Sequence, residues 1–262
     1  MTVAQEPVGS LVRRWRERRG RSQLDVSIAA DLSARHLSFI ETGRAVPSRT
    51  MIDRLCAELD VPLRERNAFF LAAGFAPAYT ERPWDDLGVA RAAVDAVLAG
   101  HEPNPALAVN VRWEMLAANR AMSAFLGGLT GVLATPPVNV LRATLHPEGL
   151  APRLRNYAEW RDHTARRVRR QLERTAADGL AELLAEIESY PVPSGADVDT
   201  GGLADGLMAP MVLAGETGDL RFHYALTVFG APRDVTLDEI AIETFFPADE
   251  ATATALRALA PH

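Results

Sequence analysis

Lysine is absent from this chain of 262 residues: all 28 basic side chains are arginine. The bias reads as one of genome composition and assigns no chemistry by itself. Cysteine is almost as scarce. Cys56 stands alone, which excludes an intrachain disulfide and fits a reducing cytoplasm. Its neighbours Ile52, Leu55 and Leu59 make it a buried structural thiol rather than a reactive one. No run of eighteen apolar residues occurs, so no membrane-spanning helix is expected. The opening MTVAQEPVGSLVRRW lacks the basic-then-apolar layout of a secretory leader. Signatures of catalysis are missing too: no His-Glu-x-x-His, Cys-x-x-Cys, Gly-x-Ser-x-Gly or phosphate-binding glycine loop is present. His101, His146 and His163 lie too far apart for metal-ligand spacing. No enzyme, metal site or cofactor is expected.

What is present is a folded composition, 48% apolar and 24% charged, with length for one or two domains. The formal net charge of −6 is unevenly spread. Residues 1–82 carry thirteen arginines against ten acids, for +3; the remainder carries fifteen against twenty-four, for −9. A nucleic-acid domain joined to something else gives such an asymmetry. Six arginines fall between Arg13 and Arg21, where they read as a phosphate-binding rim or, more blandly, a solvated helix face.

Five short helices are predicted in the first 75 residues. In helix 8–19, Val8, Leu11, Val12 and Trp15 form an inward stripe. The stretch SQLDVSIAADLSARHLSFIETG, Ser22 to Gly43, reads as two helices around a tight turn. Ser22 and Asp25 match a capping box, and Leu24, Ile28 and Ala29 are expected inward. Ser33 caps the second helix, Leu37 and Ile40 face in, and Gly43 stops it. Ala34, Arg35, Ser38 and Phe39 are left facing out. A helix starting at Ser48 or Thr50 and another from Leu63 to about Ala73 complete the set.

The ordered phrases Ser22-Gln23, Leu37-Ser38, Ile40-Glu41-x-Gly43-Arg44 and Pro47-Ser48 resemble the phage-repressor-like helix-turn-helix family often called XRE. The alternative is an ordinary helical hairpin inside a core. The resemblance implies that this bundle binds double-stranded operator DNA, one helix crossing the backbone and the next lying in the major groove. It places Gln23 beside phosphate at a helix start, and Arg35 and Ser38 at base edges. Ala34 and Phe39 would meet thymine methyls unless Phe39 folds back onto the bundle; His36 and Arg44 would contact phosphate. Glu41 would point toward a groove edge only if exposed; the safer reading is a buried structural pair with an arginine of the first helix.

Residues 76–86 form a linker around Ala76-Pro77 and Pro83. Beyond it the period is mixed, with a helix at 84–98, strands at 106–111 and 113–116, and a helix at 118–126. Residues 139–176 read as helix interrupted at His146–Gly149, with eight arginines and three acids between Pro152 and Thr175. A helix at 180–189 and a turn-rich loop at 191–202 follow. Met208–Ala214, a turn at Gly215–Gly218 and the alternating Phe222, Tyr224, Leu226 and Val228 make a hairpin. Ile240, Ile242 and Phe246 make a third strand, and a helix closes at 248–260. The expected architecture is multi-domain: an all-α five-helix lambda-repressor-like bundle over 1–75, then an α+β domain over 87–262 with about five antiparallel strands.

The phrases Leu116–Asn119, His146-Pro147-Glu148-Gly149-Leu150, Asn156-Tyr157, Phe229-Gly230-x-Pro232-Arg233-Asp234-Val235-Thr236 and Ile242-Glu243-x-Phe245-Phe246-Pro247-Ala248-Asp249 are similar to those of the MmyB-like transcription regulators. There a helix-turn-helix precedes a PAS-like ligand-binding domain. The resemblance implies a small apolar effector, fatty-acid-like, in a cavity of the second domain. A homodimer is expected because one helix-turn-helix covers only a few base pairs. Trp113, Met115, Phe125, Leu141, Tyr157 and Trp160 are candidates for the cavity wall, and Asn119, Arg142, Asn156 and His163 for a polar anchor. A C-terminal domain that only mediates dimerisation or protein interaction, without ligand, is the rival reading.

Overall fold

The protein is described here by a computed structural model covering residues 6–194, 209–215 and 218–259. The chain divides into two units. One runs to Arg82 and takes in Glu173–Thr175 and Ala231–Asp238; the other holds Pro83–Leu172, Ala176–Gly230 and the residues from Glu239 onward.

The first unit is a bundle of α1 (Val8–Arg18), α2 (Gln23–Ala29), α3 (Ala34–Glu41), α4 (Arg49–Glu58) and α5 (Leu63–Ala72). Val8, Leu11, Val12 and Trp15 are buried as their spacing requires. Ser22 closes the capping box: its hydroxyl accepts from the Asp25 N–H at 3.1 Å, and its own N–H donates to Asp25 Oδ2 at 3.0 Å. Ser33 caps α3 and Ser48 caps α4 without a reciprocal partner, each hydroxyl accepting from the backbone N–H three residues on, that of His36 and of Met51. Gly43, at φ +73°, ends α3 in the left-handed conformation that glycine adopts without strain. Cys56 is buried, and burial pushes its thiol up to about 12, which leaves no thiolate to react at neutral pH. Asp234, from the Pro232–Thr236 phrase, accepts from Thr80 Oγ1 and Arg82 Nε, each at 3.0 Å, within this same unit.

The inward face of α2 differs from expectation. Val26, Ser27 and Ala30 are buried, while Leu24 and Ile28 are 58% and 70% exposed. In a seven-residue helix, 24/28 and 26/30 are equally good i, i+4 pairs, so periodicity alone does not choose between them. The chosen face carries the small Ser27 and Ala30, which let neighbouring helices come close.

A closer approach occurs between α1 and α3. A methyl group on Gly9 would sit 2.2 Å from the Ile40 carbonyl oxygen and 3.0 Å from that of Glu41. Gly9→Ala therefore has to push α3 away, and we expect it to destabilise the bundle by at least ~1–3 kcal/mol. Urea denaturation of the full chain checks this, with Ser10→Ala, on the exposed side of the same turn, expected within about 0.5 kcal/mol of the parent. An unchanged midpoint for Gly9→Ala would show that the two helices do not touch.

In the second unit, β1 (Ala106–Val109), β2 (Met115–Ala118), β3 (Met211–Ala214), β4 (Asp219–Val228) and β5 (Ala241–Pro247) form one antiparallel sheet in the order β2-β1-β5-β4-β3. Its helices are α6 (Val89–Gly100), α7 (Arg120–Leu126), α8 (Val140–Leu145), α9 (Tyr157–Thr175), α10 (Leu180–Ser189) and α12 (Glu250–Leu259); α11 (Val235–Asp238) belongs to the first unit. Residues 195–202 of the expected loop, residue 208 of the expected strand, residues 216–217 of the turn and residue 260 lie outside the described residues.

Two local readings change. Trp113 is not in a strand: it occupies the turn between β1 and β2 at φ +64°. In β4 the alternation holds for Phe222 and fades toward the end, where Leu226 and Val228 are exposed. β5 is a strand as expected, with Ile242 buried, Phe246 43% exposed, and Glu243 and Phe245 the pair that faces the cavity. A strand buried on both faces for part of its length does not reveal by alternation which face meets the helices.

Candidate functional site

Two features stand out, one in each unit. In the first, Leu37 and Ile40 anchor α3 from beneath, each fully buried. Ala34 and Arg35 are exposed on its outer side, and His36, Ser38 and Phe39 are half-buried. Just past Gly43, Arg44 is exposed as well. The Phe39 ring lies between two guanidinium groups, Arg35 at 5.3 Å and Arg44 at 5.9 Å from its centroid. Neither arginine has a hydrogen bond or ion pair among the described residues. Phe39 thus holds two cations over one face by cation–π contact, leaving their N–H groups to meet acceptors.

Beneath this face a polar cluster ties three helices together. Arg16 of α1 donates to Glu41 of α3 through Nε at 2.7 Å and Nη2 at 3.0 Å. Gln23, at the start of α2, donates to the same carboxylate at 2.8 Å. Glu41 is only 3% exposed, so the bidentate pair sits where solvent screens it little. The hydrogen bond it donates to Glu41 holds the Arg16 guanidinium above its ordinary range.

The expected arginine rim at 13–21 is largely spent inside the unit. Arg13 pairs with Glu17 and Arg14 with Glu6. Arg19 donates to the carbonyls of Leu59 and Asp60, and Arg21 to that of Glu58. These last contacts satisfy free carbonyls at the end of α4, where positive charge is favoured.

In the second unit, a cavity of about 640 Å³ of atom-free space, its mouth included, lies between the sheet and helices α7, α8 and α9. Its wall is mostly aliphatic and aromatic, with Leu107, Phe125, Leu141, Trp160, Phe222 and Phe245 among its members. The polar exceptions are Thr144 on α8, Thr164 and Arg167 on α9, and Glu243 on central strand β5. Arg167 Nη1 donates to Glu243 Oε1 at 2.6 Å. The Arg167 guanidinium also lies over the Trp113 ring at 4.3 Å and the Tyr224 ring at 5.0 Å. Trp113 holds a left-handed backbone that is costly for a bulky residue, and its Nε1 donates to Gln171 at 2.8 Å. Beside it, His163 hydrogen-bonds the Tyr224 hydroxyl. Burial, with Arg167, Arg166 and Arg170 near, keeps the His163 imidazole below its ordinary range.

The family described as "MmyB-like transcription regulator ligand binding domain" matches residues 90–259, and a helix-turn-helix family matches residues 7–69. The chain belongs to the MmyB-like transcription regulators. Its helix-turn-helix bundle stands ahead of an α+β domain of the ligand-binding family. Over 61 residues, 23% of this chain, it is 38% identical to the transcriptional regulator ClgR of Mycobacterium tuberculosis, in strains CDC 1551 and H37Rv alike. The chain spans about half, 54%, of those relatives' length. A solved RNA-binding Light-Oxygen-Voltage receptor is similar at 14% identity over 96% of this chain and 62% of its own, with a TM-score of 0.27 that carries no argument.

In this MmyB-like regulator the expected DNA-facing residues Ala34, Arg35, His36, Ser38, Phe39 and Arg44 lie on or just past α3, and Gln23 is engaged with Glu41. Of the expected cavity residues, Phe125, Leu141 and Trp160 line the cavity. The others stand elsewhere. Asn119 caps α7 and bonds four backbone groups. Arg142 is paired with Glu186 at 2.8 Å. Asn156 fastens β3 by donating to Pro210 O and accepting from Val212 N. Tyr157 donates to Leu145 O at 3.1 Å, and Met115 packs at the edge of the core. Trp113 touches the site through Arg167 rather than lining it.

Thr164, Arg167 and Glu243 were not among the expected residues. The signal was in place: Trp160, Thr164 and Arg167 fall at i, i+4 and i+7 of one helix, which is a single inward stripe. No group of three or more His, Cys, Asp or Glu side chains placed to hold a metal occurs among the described residues. No described helix is long and apolar enough to cross a membrane.

Proposed function

We propose that this regulator reads a double-stranded operator through the outer face of α3, and that a small apolar effector in the second unit's cavity changes how tightly it does so. The observation that carries the reading is the pair of arginines, Arg35 on α3 and Arg44 just past it, without hydrogen-bond or ion-pair partners among the described residues and held by Phe39 of an eight-residue helix whose other side is buried. A guanidinium in that position reaches guanine O6 and N7 in the major groove, while its neighbours meet phosphate. The helix is short and spans only a few base pairs. A homodimer reading two half-sites about 34 Å apart would supply the missing affinity and specificity. The effector is a molecule with a fatty-acid-like chain, matched to the aliphatic wall around Trp160 and Phe222. The protein works in the cytoplasm as a regulator, not as an enzyme.

In vitro selection of DNA from a random pool tests this. A palindromic consensus is the expected result; a pool that never converges would remove sequence-specific binding. Operator affinity is then compared with and without the effector. Equal affinity in both states would remove the switch, because a ligand moves an equilibrium only through differential binding.

A further inference from the structure

The cavity's polar end is unusual in being both under-satisfied and already neutral. The Thr164 hydroxyl and the Arg167 Nε–H are buried and have no hydrogen-bond partner among the described residues. Thr164 is 1% exposed and stands one turn before Arg167 on the same face of α9. Two donors thus wait for an acceptor at a place where each unmet hydrogen bond is costly. The positive charge of Arg167, however, is already matched by Glu243, which is 4% exposed on the central strand. Trp113 and Tyr224 cover the guanidinium, so solvent does little to spread the charge.

We propose that the effector's polar end is an uncharged carbonyl, as in an acyl amide, an ester or a ketone, accepting from Thr164 Oγ1 and Arg167 Nε, and that Glu243 selects against a free carboxylate. The inference rests on reading the cavity as the effector site. A neutral carbonyl satisfies both donors and leaves the buried charges balanced. A carboxylate makes the same hydrogen bonds but brings a second negative charge next to Glu243 in a dry site, and burying an unbalanced charge is expensive. Glu243 therefore acts as a charge filter at the inner end of an apolar pocket.

The test is equilibrium binding to the full chain at pH 7 of two probes with the same chain, decanamide and decanoate, followed by quenching of tryptophan fluorescence and by calorimetry. The parent is expected to bind the amide at least about tenfold more tightly than the carboxylate. Glu243→Gln removes the matching charge and keeps the shape; it should invert the order, so that decanoate binds better. Thr164→Val, close in volume and without the hydroxyl, should weaken the amide about three- to tenfold and leave the unfolding midpoint near that of the parent. A parent that binds decanoate as well as or better than decanamide overturns the charge filter while leaving the cavity as the effector site. If neither probe binds the parent or Glu243→Gln, the cavity reading itself fails and this inference with it. If Glu243→Gln does not fold, the parent's preference and the Thr164→Val result still decide the matter.

Discussion

Glu41→Ala should lower the stability of the N-terminal unit by about 3–5 kcal/mol, as expected when one partner of a buried ion pair is removed. The carboxylate accepts two hydrogen bonds from Arg16 and one from Gln23, so its loss strands donors from two other helices at once. Arg16 keeps its contact with the Arg21 carbonyl, at 2.9 Å, and a longer ion pair with the exposed Glu17 at 3.7 Å, which replaces little of the buried bidentate pairing. Glu41→Gln should fall between the parent and the alanine variant, because an amide oxygen still accepts but carries no charge. Urea denaturation of the full chain, followed through Trp15 in the core of the bundle, gives the midpoints. A loss below about 1 kcal/mol for Glu41→Ala would mean that the cluster is loosely held. α3 would then lack the fixed position that reading DNA requires.

Asn119→Ala should be nearly as damaging to the second unit, at about 3 kcal/mol or more. The Asn119 side-chain oxygen accepts from the backbone N–H groups of Ala106 and Met122, each at 3.0 Å. Its amide donates to the carbonyls of Leu98 at 3.3 Å and Asn104 at 2.7 Å. Alanine removes a helix cap, worth about 1 kcal/mol, and leaves further buried backbone groups unpaired at ~1–3 kcal/mol each. Asn119→Asp retains the acceptor, loses the donors, and should cost less than alanine. Denaturation and binding of decanamide, measured together, separate scaffold from site. A stability loss with affinity recovered at low temperature fits the scaffold. Unchanged stability with lost affinity would return Asn119 to the list of ligand contacts.

These two residues also mark where residue patterns inform and where they do not. The bundle was legible because its signals are local. Ser22 with Asp25, Ser33 before α3 and Gly43 after it are capping and stop chemistry set within a few residues. The pairing of Glu41 with Arg16 of the first helix matches the buried reading of that acid. The buried face of α2 did not follow, since two stripes of equal period compete in seven residues. The cavity was harder for a different reason. Asparagine is read as a polar anchor, yet Asn119 and Asn156 bond the backbone, which is what short amide side chains do at caps and strand ends. Arg167 is one of eight arginines between Pro152 and Thr175, and in sequence only its place in the Trp160–Thr164 stripe separates it from its solvated neighbours. Its role depends on Glu243, 76 residues away, and such a pair becomes visible only when the sheet brings α9 and β5 together.

The most direct measurement is the affinity of an Arg35→Ala variant for the selected operator, at the same salt concentration as the parent. Loss of one bidentate base contact, about 1–3 kcal/mol, predicts binding weaker by roughly 5- to 100-fold, with preference relaxed at a single base position in each half-site. Full affinity with unchanged preference would contradict the account, for the outer face of α3 would then not be the surface that meets the DNA.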